Sequence, residues 1–410
     1  MFVICNERTR KPIKVWLEHI DQMEESCLEQ AYHLADLPFI HKWVCLMPDT
    51  HTGMGMPIGG VLAAKDVIIP NAVGADIGCG MNFVYTDVKV SELKKVLTGN
   101  GTLVKTIIGE IMRSIPVGLH SYKEKQPSKV LDQAFAEAKQ YQRNPELFAL
   151  LEAAYYQVGT LGGGNHFIEL QEDQDGCLGI MLHSGSRHLG KSICDAYHHK
   201  ARALNAAWHS AVPDEYRLAF LPVDSREGRE YIAWMNLALD YAFENRARMM
   251  AKVKEIVAAN VMKYLNHEIL YSHEINCHHN YASLEHHYGE DVWVHRKGAT
   301  RVRRDEVAVI PGAMGSYSYV VSGKGHEESF CTSSHGAGRA YSRKGAMAAF
   351  RSDEVINDLK EQDIVLGKTK KSDVAEECRF AYKDIETVMA NQNDLVEILT
   401  QLKTIGVVKG

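Results

Sequence analysis

Apolar positions along the chain follow two rhythms. In the first third, short apolar runs rich in β-branched and aromatic residues are bounded by Gly, Pro and Asp. "WVCLMPD", "GGVLAAKDVIIP" and "GMNFVYTDV" are predicted as strands on that basis. "HFIELQ" and "LGIMLHSG" predict two more, separated by the acidic turn "EDQDG". Residues 128 to 156 hold few Gly or Pro and space their apolar residues helically, which predicts a helix there. Residues 226 to 265 predict one or two long helices. The last third returns to strands in "VWVHRKG", "VAVIPG" and "SYVVSG", then to helices near 343 to 360 and 383 to 403. Strands and helices come in blocks rather than in βαβ alternation, so the expected fold class is α+β. No repeat, low-complexity tract or Pro/Ser-rich linker divides the chain, and one large domain spanning 1–410 is expected.

Composition narrows the function classes. The chain has 410 residues, 45% hydrophobic and 24% charged, as a water-soluble globular protein does. Its 46 basic and 52 acidic side chains leave a net charge of −6. That excludes a non-specific nucleic-acid coat but not a local basic groove. "HRKGATRVRR", residues 295 to 304, is such a local positive run. Nine scattered cysteines without a CxxC pair argue against a disulfide framework and for a reducing cytoplasm. No signal peptide is read at the N-terminus, and no apolar run reaches the roughly 20 residues of a membrane helix.

Candidate chemistry lies in glycine-rich and strand-end segments. In "VGADIGCGMN", Asp76 and Cys79 offer a hard and a soft metal donor three residues apart. In "GTLGGGNHFIEL", Gly162, Gly163 and Gly164 precede Asn165, His166 and Glu169, and free backbone N–H groups there suit a phosphate. His183 ends an apolar strand, with Ser184, Ser186 and Arg187 behind it, which fits metal plus phosphate. "NCHHN" gives His278 and His279 on opposite faces of a strand, so one of the two can ligate. Singly, each motif also fits an ordinary turn. Together they supply Asp, Cys and three His, a set that suits Mn²⁺ or Zn²⁺ better than Mg²⁺. Such a set could serve two ions sharing the thiolate. "CTSSHGAGRA" adds His335, a titratable imidazole followed by glycines that let a ligand approach the main chain. It could be a ligand, a general base, a nucleophile or a plain turn histidine.

"MPDTHTGMG", "GADIGCGMN", "GTLGGGNHFIE", "HSGSR", "NCHHN", "HRKGA", "SHGAGR", "AYKDI" and the terminal "VVKG" occur in the order seen in RtcB RNA ligases, which the chain resembles from about residue 40 to its end. The resemblance implies a ligase dependent on Mn²⁺, with two ions, and on GTP. It would join an RNA 3′-phosphate or 2′,3′-cyclic phosphate to a 5′-hydroxyl through a guanylylated histidine, in RNA repair or tRNA splicing. Carried over by motif, His335 would be the nucleophile, and Asp76, Cys79, His166, His183 and His279 would hold manganese. Asn165, Phe167, Glu169, Asn280, Ala313, Ser318, Gly338, Tyr382 and Lys409 would surround the nucleotide. Glu169 would accept from the guanine edge. Arg187, Lys297 and Arg339 are the candidates for RNA or nucleotide phosphates. A cytoplasmic monomer is expected. The chain departs from the family with Ala313 in "PGAMG" instead of serine, His188 where a glycine is usual, and "MPDTHTG" for MPDVH. These departures point to a divergent branch, one devoted to repair of a particular damaged RNA. A metal-dependent phosphoesterase needs the same ligands but not His335 or Lys409, and a non-catalytic RNA-binding paralogue should have lost at least one of the positions filled here.

Overall fold

Strand-forming runs pair almost wholly antiparallel, and their register decides where the chemistry lies. The computed structural model describes residues 1–410. One sheet orders Tyr271–His278, Gly80–Lys89, Cys177–Ser184, Phe167–Glu172, Val396–Lys409, Tyr317–Gly323 and Val307–Ile310 side by side. Every pair on that path is antiparallel; the short Val365–Gly367 adds to Val396–Lys409 in parallel. In such a ladder, the start of one strand meets the end of its neighbour. Gly80 therefore sits opposite both Ser184 and His278, and Phe167 opposite both His183 and Lys409. One end of the sheet gathers the residues that flank these termini: Cys79, His166, His183, His279 and Lys409.

A second sheet of six strands carries Ile40–His51, Ile58–Ala64, Glu290–Lys297 and Asn280–His287. Its Asn280–His287 strand continues directly from Tyr271–His278, so His279 is the joint between the two sheets. The strand pair Ala299–Arg301 and Thr332–Ser334 delivers His335 to the same place. The helix Arg226–Leu265 runs behind the first sheet as one unbroken element of 40 residues. Ser225 caps it by accepting from Gly228 N, and Asn266 ends it in the left-handed region. Its buried stripe recurs at three- and four-residue steps through Tyr231, Trp234, Ala238, Tyr241, Asn245, Met249 and Val253. The blockwise α+β organisation is the one expected.

Two element expectations are corrected. Residues 128 to 156 form three short helices, Lys129–Ala136, Ala138–Tyr141 and Pro145–Ala154. Asn144 accepts from Leu147 N and Pro145 stands in the first helical turn; proline starts a helix well and cannot continue one. Residues 383 to 403 are helical only over Ile385–Ala390, capped by Asp384. The rest belongs to the strand Val396–Lys409, where β-branched residues find pairing partners on both sides. No helix is long and apolar enough to cross a membrane.

Candidate metal centre and nucleotide cleft

Five side chains from four segments converge at the gathered sheet end. Cys79 Sγ lies 3.4 Å from His166 Nε2 and 3.2 Å from His183 Nε2. His183 Nε2 is 3.2 Å from His279 Nε2, and His166 Nε2 is 3.0 Å from Asp76 Oδ2. Donor atoms of Asp76, Cys79 and His166 form one group and those of Cys79, His183 and His279 another, each within 4.8 Å, with the thiol common to both. His166 Nδ1 faces the Leu161 carbonyl at 2.9 Å, which turns Nε2 with its lone pair toward the cluster. Burial holds the His183 and His279 imidazoles well below their ordinary range, so both are neutral donors. Burial raises the Asp76 carboxyl, but the His166 contact outweighs it and the group stays below the usual carboxylate range. Burial also pushes the Cys79 thiol well up; a bound cation reverses that, because a coordinated thiol is deprotonated. His279 Nδ1 is a buried nitrogen with no hydrogen-bond partner. Thiolate, carboxylate and imidazole donors so packed fit borderline divalent transition metals. Gly185 is required here: a Cβ at that position would stand 2.2 Å from Asp76 Oδ1.

His335 abuts this cluster, its ring centroid 4.7 Å from that of His279. Its Nδ1 lies 2.7 Å from Asp49 Oδ2, and the same oxygen accepts from the backbone N–H of His335 and Gly336. Asp49 is fully buried. An acceptor on Nδ1 selects the tautomer whose Nε2 carries the lone pair. Gly338, at φ +74°, lies against the Asp49 main chain, where a Cβ would come within 2.1 Å of the carbonyl oxygen.

His335 and His183 share the wall of a cavity of about 310 Å³ with Asn165, Phe167, Glu169, Ala313, Gly338, Arg339, Tyr382 and Lys409. Glu169 Oε2 accepts from Gln171 Nε2 at 2.7 Å and Thr404 Oγ1 at 3.0 Å. Burial pushes its carboxyl up to about 7, against those bonds and the Lys409 ammonium. Lys409 is buried, 3.6 Å from Glu377 and 5.5 Å above the Phe167 ring. Tyr382 donates its hydroxyl to Glu377, which also takes Arg339 Nη1 at 3.1 Å.

Other expected positions lie behind the wall. Ser318 Oγ accepts from Gly312 N and Gln171 Nε2, inside the fold. Asn280 receives Gly298 N and donates to the Asp76 carbonyl, bracing the cluster. Of the three cations, Arg339 reaches the cavity. Arg187 packs under the glycine-rich turn, bonded to Thr160 and the Gly118 carbonyl. Lys297 is buried on the carbonyls of Met54 and Asn71, and burial lowers its ammonium to about 8. Reasoning from sequence missed Asp49 and Glu377. Asp49 carried two signals, a carboxylate closing the apolar run of "WVCLMPD" and its place in the motif "MPDTHTGMG"; "DVAEECRF" carries none for Glu377.

Comparison with known proteins agrees in extent and in kind. A family profile described as "tRNA-splicing ligase RtcB" matches residues 30–410. The RNA-splicing ligase RtcB of Escherichia coli (strain K12) is 36% identical, covering 97% of each chain. The tRNA-splicing ligase RtcB of Methanococcus maripaludis is 31% identical over 98% of this chain and 95% of its own length. That of Thermococcus kodakarensis is 31% identical over 99% and 96%. With matches of this length to a profile and to full-length relatives, the chain belongs to the RtcB family.

Proposed function

We propose that the chain is a GTP- and Mn²⁺-dependent RNA ligase that joins 3′-phosphate or 2′,3′-cyclic-phosphate ends to 5′-hydroxyl ends, with His335 as nucleophile. The observation that carries this reading is the pairing of His335 with the buried Asp49, set between the thiol-sharing cluster and the cavity. Asp49 orients the ring and stabilises the charge that builds on it. His335 Nε2 attacks the α-phosphorus of GTP, and the bond to the pyrophosphate oxygen breaks. An oxygen of the RNA 3′-phosphate then attacks the same phosphorus, the N–P bond breaks, and the imidazole is restored. The 5′-hydroxyl attacks the 3′-phosphate, loses its proton, and GMP leaves. A cyclic end must first be hydrolysed to the 3′-phosphate. Asp76, Cys79, His166, His183 and His279 would hold manganese, which supplies charge neutralisation and alignment of the phosphates. Glu169 would accept from the guanine N1–H and N2–H, with Tyr382 and Lys409 closing the nucleotide side. Nine free cysteines suit a reducing compartment such as the cytoplasm.

The test supplies two labelled RNAs, one ending in a 3′-phosphate and one beginning with a 5′-hydroxyl, with GTP and Mn²⁺. Joined product that requires all four components supports the reading. Release of inorganic phosphate without joining, independent of GTP, overturns it in favour of a phosphoesterase. Binding of RNA with no chemistry overturns it in favour of a non-catalytic paralogue.

A further inference from the structure

The helix Arg226–Leu265 buries an apolar stripe that is interrupted at its middle. Asn245 and Arg246 stand there, both with 0% exposure, between Tyr241 and Met249. A guanidinium buried in a core is costly unless its donors are used. The hydrogen-bond partners of Arg246 are all uncharged groups, and they are not scattered. Nη1 donates to the Gly78 carbonyl at 2.7 Å and to the Ser184 carbonyl at 3.0 Å. Those carbonyls directly precede Cys79 and directly follow His183. Nη2 lies 3.1 Å from Nδ1 of His278, the neighbour of His279, and Nε donates to Asn276 Oδ1 at 2.7 Å.

Asn245 reaches the fourth segment. Its Oδ1 accepts from Gly159 N at 2.7 Å and Thr160 N at 3.1 Å. Its Nδ2 donates to the Gly185 carbonyl at 3.0 Å and lies 3.2 Å from Ser184 Oγ. Ser184 Oγ in turn donates to the Leu161 carbonyl, the same oxygen that orients His166. Two consecutive residues of one helix thus tie together all four segments that bring the ligand side chains.

We propose that Asn245 and Arg246 are the positioning residues of the metal cluster, a fastener that holds the segments of Cys79, His166, His183 and His279 at one spacing. This rests on the reading of that cluster as the manganese site. Neither residue touches the cluster's donor atoms; both act through the backbone and the neighbouring side chains of the segments that carry them. A planar fork of five donors spans the carbonyls of a turn and of a strand end in two separate segments, which a lysine with one ammonium does not. The rival role is plain core structure, in which their loss would lower stability and leave metal binding alone.

The experiment measures Mn²⁺ affinity of the nucleotide-free protein by calorimetry, the thiolate-to-metal absorption band of the Co²⁺-loaded protein, and the melting temperature. The variants are Arg246→Lys, Asn245→Ala, Cys79→Ser and Val253→Ala. Val253 lies two turns further along the same stripe, fully buried, and its apolar side chain makes no hydrogen bond to the ligand segments. Arg246→Lys and Asn245→Ala should each weaken Mn²⁺ about 10- to 100-fold and alter the Co²⁺ band. Val253→Ala should lower the melting temperature with unchanged affinity. Wild-type affinity and band shape in folded Arg246→Lys and Asn245→Ala overturn the proposal. If Arg246→Lys does not fold, Asn245→Ala decides alone. If Cys79→Ser also keeps wild-type affinity, the cluster is not the metal site and both readings fall; if Cys79→Ser loses metal while the helix variants keep it, only the fastener falls.

Discussion

The two walls of the cleft are built differently. His183 lines the inner wall, and behind it lies the ligand cluster, where Cys79, His166, His183 and His279 are buried and attached to paired strands or their immediate ends. The outer wall carries Arg339, Tyr341, Arg343, Glu377 and Tyr382, from loops, a seven-residue helix and a short 3₁₀ turn. Tyr341 is exposed and Arg343 reaches Glu376 at 3.2 Å from a half-exposed position. Backbone ladders fix the spacing of the donor atoms in the cluster. The outer wall has a backbone bridge, between Arg339 and Tyr382, and a mostly buried Arg339–Glu377 pair, while at its rim Arg343 pairs with Glu376 from a half-exposed position, where an ion pair is weak and adjustable. The inner wall is thus fixed by the sheet, whereas the rim of the outer wall, at Tyr341 and Arg343, is free to adjust.

Cys79→Ser breaks the inner wall and should have the largest effect. A serine hydroxyl is a far poorer donor than a thiolate, and the thiol is common to both donor groups. The expected loss of Mn²⁺ affinity is about 100-fold or more, since even indirect partners of a ligand contribute roughly 10- to 100-fold. Equal metal content by elemental analysis would show that Cys79 is only a packed cysteine.

Glu169 sharpens the comparison, because it lies where the walls meet. With its carboxyl at about 7 in the free protein, it passes from about one-tenth to about nine-tenths ionised between roughly pH 6 and 8. The protonated form has given up acceptor capacity, so GTP binding should tighten as pH rises, by up to about tenfold. The sign for stability is opposite. A carboxyl raised from its ordinary value favours the folded state least once ionised, so the nucleotide-free protein loses stability from this site as pH rises from the unfolded value toward about 7. Glu169→Gln should flatten the binding slope. A slope that survives the substitution would remove Glu169 from the contact.

How much of this was legible in the chain follows from range. The strands Gly80–Lys89 and Cys177–Ser184 and the helix Arg226–Leu265 announce themselves by local periodicity. The strand Val396–Lys409 does not, because its state is decided by neighbours at Phe167–Glu172 and Tyr317–Gly323. The ligand segments stood out because they are glycine-rich or lie at strand ends. Asp49 did not, since its partner His335 is 286 residues away. Asn245 and Arg246 look like one polar turn of a long helix until the helix is seen packed against the four segments.

The smallest expected effect belongs to the outer side. Ala313 lines the cavity without a hydroxyl, and of the neighbouring Ser316 and Ser318 that could replace it, Ser318 is already engaged by Gly312 and Gln171. Restoring one neutral hydrogen bond is worth about 0.5–1.5 kcal/mol. Ala313→Ser should therefore lower the GTP concentration for half-maximal nucleotide transfer several-fold, with the Mn²⁺ requirement unchanged. An unchanged or higher half-point would mean that the pocket has repacked around the alanine.

The central claim is that His335 is the nucleophile poised between the two walls. It is tested most directly by intact-protein mass spectrometry after incubation with GTP and Mn²⁺ in the absence of RNA. The account predicts a mass gain of one GMP, located on His335 by peptide mapping. The gain should disappear in His335→Ala, which should still bind Mn²⁺. An adduct on another residue, or one that persists in His335→Ala, would contradict it.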